Sequence, residues 1–194
     1  ASTDLPDTQL QKIVENMDES TKNEIIRAYV GKRENRRHKP GRGMERSFYR
    51  FDILSDFGSF RDLQRHRMLT IDWQRLGIKH GYLTPPAIAE VGWGQRWDDA
   101  MGRIKDFYDT VMNEHGADVA QYVVPFGFKL RYSMQFNARE AFHLLELRTA
   151  QQGHPDYRRV CQLMHTAIRE KAGHSALADA MSYVDHGSYD LERL

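Results

Sequence analysis

The stretch from Phe128 to Arg148 constrains the fold more than any other part of the chain. Phe128 to Phe136 reads as an extended segment, and Asn137-Ala138-Arg139-Glu140 follows it directly. Asn137 is a preferred N-cap residue, and Glu140 three positions later completes the form of a capping box. A strand therefore feeds straight into a helix that runs to about Arg148. At about 3.6 residues per turn, Arg139, His143 and Glu146 share one helix face. Arg148, nine residues after Arg139, points to the opposite side with Ala141, Leu144 and Leu145. A lone arginine on an apolar face is unusual unless it meets an anion or a carboxylate. The plainer alternatives are a solvated polar stripe and an arginine that favours a helix C-terminus through the macrodipole.

The other elements arrange themselves around this unit. Leu10, Ile13, Val14 and Met17, then Ile25, Ile26 and Tyr29, recur at helical spacing, so residues 7 to 33 read as helix with a break near Asp18-Glu19-Ser20. Phe48 to Leu54 alternates as a strand with Tyr49, Phe51 and Ile53 on its apolar side. Ser59 to Asp62 has the form of a helix start, which predicts a short helix from Phe60 towards His66. Leu69, Ile71 and Trp73 mark a second extended segment. Residues 74 to 95 read as loop, punctuated by glycine and proline. Trp97 to Glu114 reads as a helix stopped by Gly116, and Asp118 to Phe126 as another short helix. Pro155 to Lys171 and Ser175 to Val184 read as the last two helices. Helices outnumber strands but the strands are required, which makes the class α/β or α+β.

Composition removes several alternatives. A chain of 194 residues suits one domain with a terminal arm, and it buries a core without disulfides. Its net charge of +1 argues against a non-specific nucleic-acid coat. Cys161 is the one cysteine, so no intrachain disulfide forms, and a reducing compartment, the cytoplasm, is expected. Cys161 falls in a helical apolar pattern with Met164 and Ile168 and reads as core. No run is apolar enough to cross a membrane, and no signal peptide is visible. The chain starts Ala1-Ser2-Thr3 without methionine, as expected of one that is processed, tagged or cut from something longer.

Two constellations carry possible chemistry. The first is Arg65-His66-Arg67, at a predicted helix-to-strand junction. Guanidinium forks match phosphate oxygens bidentately, so the triplet reads either as a phosphate grip or as a solvated basic turn. The second is the capped helix Asn137 to Arg148. The basic run from Arg33 to Gly43 reads as a solvated linker in preference to an anion-binding strap. The nine histidines are scattered without zinc spacing, so no metal site is expected. There is no glycine-rich dinucleotide fingerprint and no phosphate-binding loop of the nucleotide-triphosphatase kind.

Taken together, the two constellations resemble one family, the flavin-dependent thymidylate synthases. Glu45 to Phe51 looks like the family's aromatic strand. Phe60 to Arg67 looks like its signature helix ending in Arg-His-Arg. Tyr132 to Arg139, continued through Leu147-Arg148, looks like its Asn-Ala-Arg strand-and-helix block. The likeness covers roughly residues 44 to 170, and the first forty look like an addition. This divides the chain into a helical arm with a basic linker over 1–43 and a family-like domain over 44–194.

The resemblance implies a small, mostly antiparallel sheet packed with several helices, assembled as a homotetramer with FAD at subunit interfaces. It implies reductive methylation of deoxyuridylate, with methylenetetrahydrofolate supplying carbon and NADPH supplying reduction. Arg65, His66, Arg67, Asn137, Arg139 and His143 would contact FAD, and Arg148 would hold and polarise the pyrimidine. The sequence also departs from the family pattern. The serine expected after the seven-residue gap is Arg75, which becomes a candidate substrate contact in its place. The Asn-Glu within the gap is Asp72-Trp73, and an arginine beyond it is Gly77. Asp62 stands where glutamine is expected, and Gln121 where arginine is expected. These losses fall mainly on the nucleotide site, and a diverged second copy within a longer two-domain protein would account for them. Two rivals remain: a degenerate domain that supports an active copy, and a basic nucleic-acid module over 32–42 and 61–67.

Overall fold

The computed structural model describes residues 3–189, so the two ends of the expected domain division lie outside the described residues. The sheet has three strands: β1 (Phe48–Asp56), β2 (Thr70–Trp73) and β3 (Lys129–Asn137). All pairings are antiparallel, in the order β1-β3-β2. The register sets Tyr49 opposite Phe136, Ile53 opposite Tyr132 and Ser55 opposite Leu130. The odd residues of β1 and the even residues of β3 therefore share one face, as the period of two requires. That face is buried, whereas Phe48 and Leu54 on the other side are exposed.

Nine α-helices stand among the described residues. The first two, α1 (Asp7–Glu15) and α2 (Glu19–Val30), divide where the sequence predicts. Asp18 makes the break by accepting from the Thr21 amide at 2.8 Å. After β1 comes α3 (Phe57–Leu63), capped by Asp56 and not by Ser59. Asp56 accepts from both the amide and the hydroxyl of Ser59. The helix starts early because β1 runs to Asp56 and the Phe57 amide bonds the Phe128 carbonyl at 2.9 Å. The expected loop over 74–95 contains a short helix, α4 (Pro86–Glu90).

A second apolar cluster forms around α5 (Gly94–His115), α6 (Ala117–Ala120) and the 3-10 turn Gln121–Val123. Gly116 ends α5 at φ 81°, in the left-handed region that glycine enters without Cβ strain. The main core lies between the buried sheet face and α3, α7 (Ala138–Arg148), α8 (Pro155–Glu170) and α9 (Ser175–Ala180). Cys161 is part of it, and burial pushes its thiol up to about 12.

Helix α7 positions the site. Asn137 caps it, with Oδ1 accepting from the Glu140 amide at 2.8 Å. Ala138, Ala141, Phe142, Leu144 and Leu145 are buried, and so are Glu140 and Glu146. A helix enclosed all round sits inside the fold, so every polar residue on it needs a partner. The alternative of a solvated stripe does not hold, because residues 33–45 engage Arg139 and Glu146. Arg139 donates to the Pro40 carbonyl at 3.0 Å and to Glu45 at 3.1 Å. Glu146 accepts both terminal nitrogens of Arg33, each at 2.6 Å. Their side chains are 4% and 0% exposed, so the run from Arg33 is not a solvated linker at its root. Arg33 also donates to the carbonyls of Arg36, His38 and Ala180, which folds the linker around one guanidinium.

Candidate functional site

The triplet Arg65-His66-Arg67 lies in the connection between α3 and β2. Its members do not fan together. Arg65 and Arg67 are exposed, while His66 turns inward and is buried. The His66 amide bonds the Leu63 carbonyl at 3.2 Å, which continues the end of α3 for one more turn and aims the ring at α7.

Three α7 residues receive that ring. The Glu140 carboxylate lies 3.2 Å from His66 Nδ1. Arg148 donates its Nε–H to His66 Nε2 at 2.9 Å. The His143 ring packs edge-on against His66, with centroids 5.6 Å apart. Arg148 also lies over the Tyr157 ring and 3.8 Å from Asp62. The anion or carboxylate expected beside Arg148 is not its main partner: the side chain meets chiefly a histidine, and the Asp62 carboxylate stands only at 3.8 Å. The separation of Arg148 from the His143 face does not hold as expected: His66 reaches across and bridges them.

Burial holds the His143 imidazole below its ordinary value. His66, Lys39 and Arg36 push the same way, and only Glu140 opposes them. The linker's outer cations therefore add to a positive environment around the cluster. Exposed Arg65 keeps only a loose pairing with Asp62 at 3.6 Å. The donor set suits an anionic ligand, because guanidinium offers several donors and no acceptor.

Other candidates go elsewhere. Arg75 pairs with Asp118 at 2.9 Å on the exposed surface of α6 and takes no part in the His66 cluster. Gln121 accepts from the Leu76 amide at 3.1 Å, so it serves the backbone of that loop. Arg139 is committed to Pro40 and Glu45, as described above. Asn137 uses its oxygen as the cap, which leaves its NH2 to donate elsewhere.

Glu140 is a further site residue, one that the sequence marks only as a helix-start glutamate. Its carboxylate does not close a capping box; it turns to His66, 74 positions away. The i, i+3 spacing of Glu140 and His143, which sets both on one side of the helix, is the available signal. The scattered histidines also converge more than expected, since ligand atoms of His66, Glu140 and His143 lie within 4.8 Å of one another. Both His66 nitrogens are already occupied, one by Glu140 and one by Arg148. A cation would have to displace one of them, so the cluster fits a hydrogen-bond relay better than a metal centre.

The sequence family described as Thy1, thymidylate synthase complementing protein, matches residues 2–173. The chain belongs to this family, that of the flavin-dependent thymidylate synthases. The match runs through α1 and α2 as well as the later elements. A UPF0159 protein of Chlamydia pneumoniae is 37% identical over 172 residues, covering 88% of this chain and 32% of that protein. A UPF0159 protein of Thermoplasma acidophilum is 37% identical over 163 residues, covering 84% and 32%. The chain thus spans about a third of the length of the curated relatives it matches.

Two solved structures share the fold. Thymidylate synthase X from Helicobacter pylori, solved with FAD and dUMP, superposes with a TM-score of 0.62 at 17% identity over 89% of each chain. PolB, a UMP/dUMP methylase from Streptomyces cacaoi bound with 5-Br dUMP, gives 0.65 at 19% identity over 85% of this chain and 82% of that one. The architecture of helices around a small antiparallel sheet is therefore this family's fold. No helix among the described residues is long and apolar enough to cross a membrane.

Proposed function

We propose that this chain binds FAD and a uridine nucleotide and carries out reductive methylation of deoxyuridylate to thymidylate. Methylenetetrahydrofolate would supply the carbon and NADPH the reducing equivalents. The observation that carries this reading is the 2.9 Å bond from Arg148 to His66. It joins the family's Arg-His-Arg signature to the helix-end arginine in one cluster. The flavin, when bound, supplies the two-electron redox chemistry.

The protein's own residues divide the remaining work. Arg65 and Arg67 meet the flavin phosphates from the exposed side, through bidentate charge-assisted bonds. Asn137, His143 and His66 would hold the flavin alongside them. Arg139 serves the same site by clamping Pro40 and Glu45, which closes the linker over α7. Arg148 holds the pyrimidine through the guanidinium nitrogens that His66 leaves available. Arg75 reaches the nucleotide phosphate only by giving up Asp118. The reading includes a homotetramer in the cytoplasm.

A second reading has its own support. Arg75 is tied to Asp118 and Gln121 to the backbone of Leu76, so neither stands ready for a phosphate. On that reading the domain binds flavin, or only supports a partner copy, and turns nothing over. The test is to incubate the purified protein with FAD, remove excess and record the absorption spectrum, then add deoxyuridylate. A retained flavin band that shifts with nucleotide supports the first reading. A retained band that nucleotide leaves unchanged supports the second. A colourless protein refutes both flavin proposals.

A further inference from the structure

Glu140 is a buried carboxylate whose hydrogen-bonding partner through the side chain is the His66 ring. The other ring nitrogen, Nε2, faces the Nε–H of Arg148 at 2.9 Å. Arginine has donors and no acceptor, so Nε2 must present its lone pair there. The ring proton then sits on Nδ1 and is donated to Glu140. Which histidine nitrogen carries the proton is set by what the other one meets, and here both contacts give the same answer. Without an acceptor at Nδ1, the ring is free to place its proton on Nε2. Two donors would then face each other and Arg148 would lose its anchor.

The remaining surroundings do not supply that anchor. Asp62 is 3.8 Å from Arg148 Nη1 and also lies 3.6 Å from Arg65. Tyr157 offers only a ring face, with the guanidinium carbon 5.4 Å from its centroid. The contact from His66 is therefore the one well-formed hydrogen bond that fixes the Arg148 side chain among the described residues. It uses Nε alone, and the two terminal nitrogens stay available to a ligand.

We propose that Glu140 is a positioning residue, which holds His66 in the Nδ1–H tautomer so that Nε2 fixes the Arg148 guanidinium for an anionic ligand. Glu140 touches no ligand itself; it acts through His66. That the ligand is a uridine nucleotide rests on the functional reading above, whereas the relay from Glu140 to Arg148 does not.

The test uses the whole chain labelled with nitrogen-15 and no ligand. Imidazole nitrogen shifts at neutral pH should give His66 a protonated Nδ1 and an accepting Nε2, and the Arg148 Nε–H should be protected from exchange. Glu140→Gln should keep both features, since the amide oxygen still accepts. Glu140→Met, of similar volume without an acceptor, should move the His66 proton to Nε2 and expose the Arg148 Nε–H. Deoxyuridylate titrated calorimetrically should bind Glu140→Met about tenfold more weakly, or about 1.4 kcal/mol, with Glu140→Gln close to wild type.

A wild-type His66 protonated at Nε2 overturns the relay without any variant. So does an Arg148 Nε–H that stays protected in a folded Glu140→Met protein. Stoichiometric zinc that shifts His66 and His143 together also overturns it, in favour of a metal centre. If the tautomer and the Arg148 protection are as expected but wild-type protein binds no nucleotide, the relay stands and the functional reading falls.

Discussion

Replacing Arg33 with methionine tests how residues 33–45 are held onto α7. Arg33 is almost fully enclosed, and both of its terminal nitrogens meet Glu146 at 2.6 Å. Its guanidinium also lies over the Phe142 and Tyr183 rings. Arg33→Met leaves the Glu146 charge buried with only the 3.4 Å contact from the Tyr183 amide. Removing one partner of a buried pair costs about 3–5 kcal/mol. At about 2–4 °C per kcal/mol for a domain of this size, the melting temperature should fall by about 6–20 °C. Urea unfolding followed by circular dichroism gives the free energy directly. The double variant Arg33→Met with Glu146→Leu should recover more than half of the loss, because no charge is then stranded. A coupling of about 2 kcal/mol or more between the two positions is expected. A loss below about 1 kcal/mol for Arg33→Met, the size of a surface ion pair, would refute the reasoning.

Removing the cap with Asn137→Ala should cost about 1 kcal/mol in the same assay; no change would mean that β3 alone fixes the start of α7. Leu144→Ala should destabilise by about 2–5 kcal/mol, because the side chain is fully enclosed and its removal leaves a cavity in the core. Cys161 should resist thiol reagents in the native protein and react only on unfolding, since its thiol is pushed up to about 12 and buried. Acid should weaken the fold through His165, whose Nε2 donates to the Ala178 carbonyl while Nδ1 meets His186, each at 2.9 Å. Burial holds His165 below its ordinary 6.5, so the unfolded chain takes up the proton first. Stability is therefore fully present above that value and falls as the pH drops below it. His143 is lowered as well and adds to the same trend. Unfolding at about pH 7.5 and about pH 5.5 should give the lower stability in acid, and His165→Asn should reduce the difference; equal pH dependence would contradict the assignment.

How far the sequence discloses the molecule depends on how local each signal is. The apolar alternation of β1 and the cap at Asn137 are written within a few residues, and both appear where expected. The stop of α5 at Gly116 is equally local. The short helix Pro86–Glu90 was hidden because its flanking glycines and prolines read as loop throughout. The start of α3 is not decided locally, because Asp56 and Ser59 both suit a cap and the length of β1 with its contact to Phe128 selects Asp56.

The site is legible in part for the same reason. Arg65-His66-Arg67 and the helix ending at Arg148 stand out in sequence, and the fold does bring His66 to Arg148, 82 positions apart. The partner of Glu146 is 113 positions away and that of Glu140 is 74 away. Pairings of that kind carry no local pattern. Helical facing treats α7 as a surface helix with two sides, whereas α7 is enclosed: Arg139 and Glu146 meet the 33–45 segment, and Glu140, His143 and Arg148 all converge on His66. Arg75, offered as a replacement for the missing serine, was placed by counting along the chain. In the fold it pairs with Asp118 at 2.9 Å.

The central claim is that the surface around His66 and its flanking arginines holds a flavin. Titrating FAD with the purified chain while following flavin fluorescence tests it most directly. The claim predicts a saturable change in wild-type protein, weakened about tenfold or more when Arg65 and Arg67 are both replaced by alanine. A flavin signal that wild-type protein leaves unchanged, or one that the double variant reproduces in full, would contradict it.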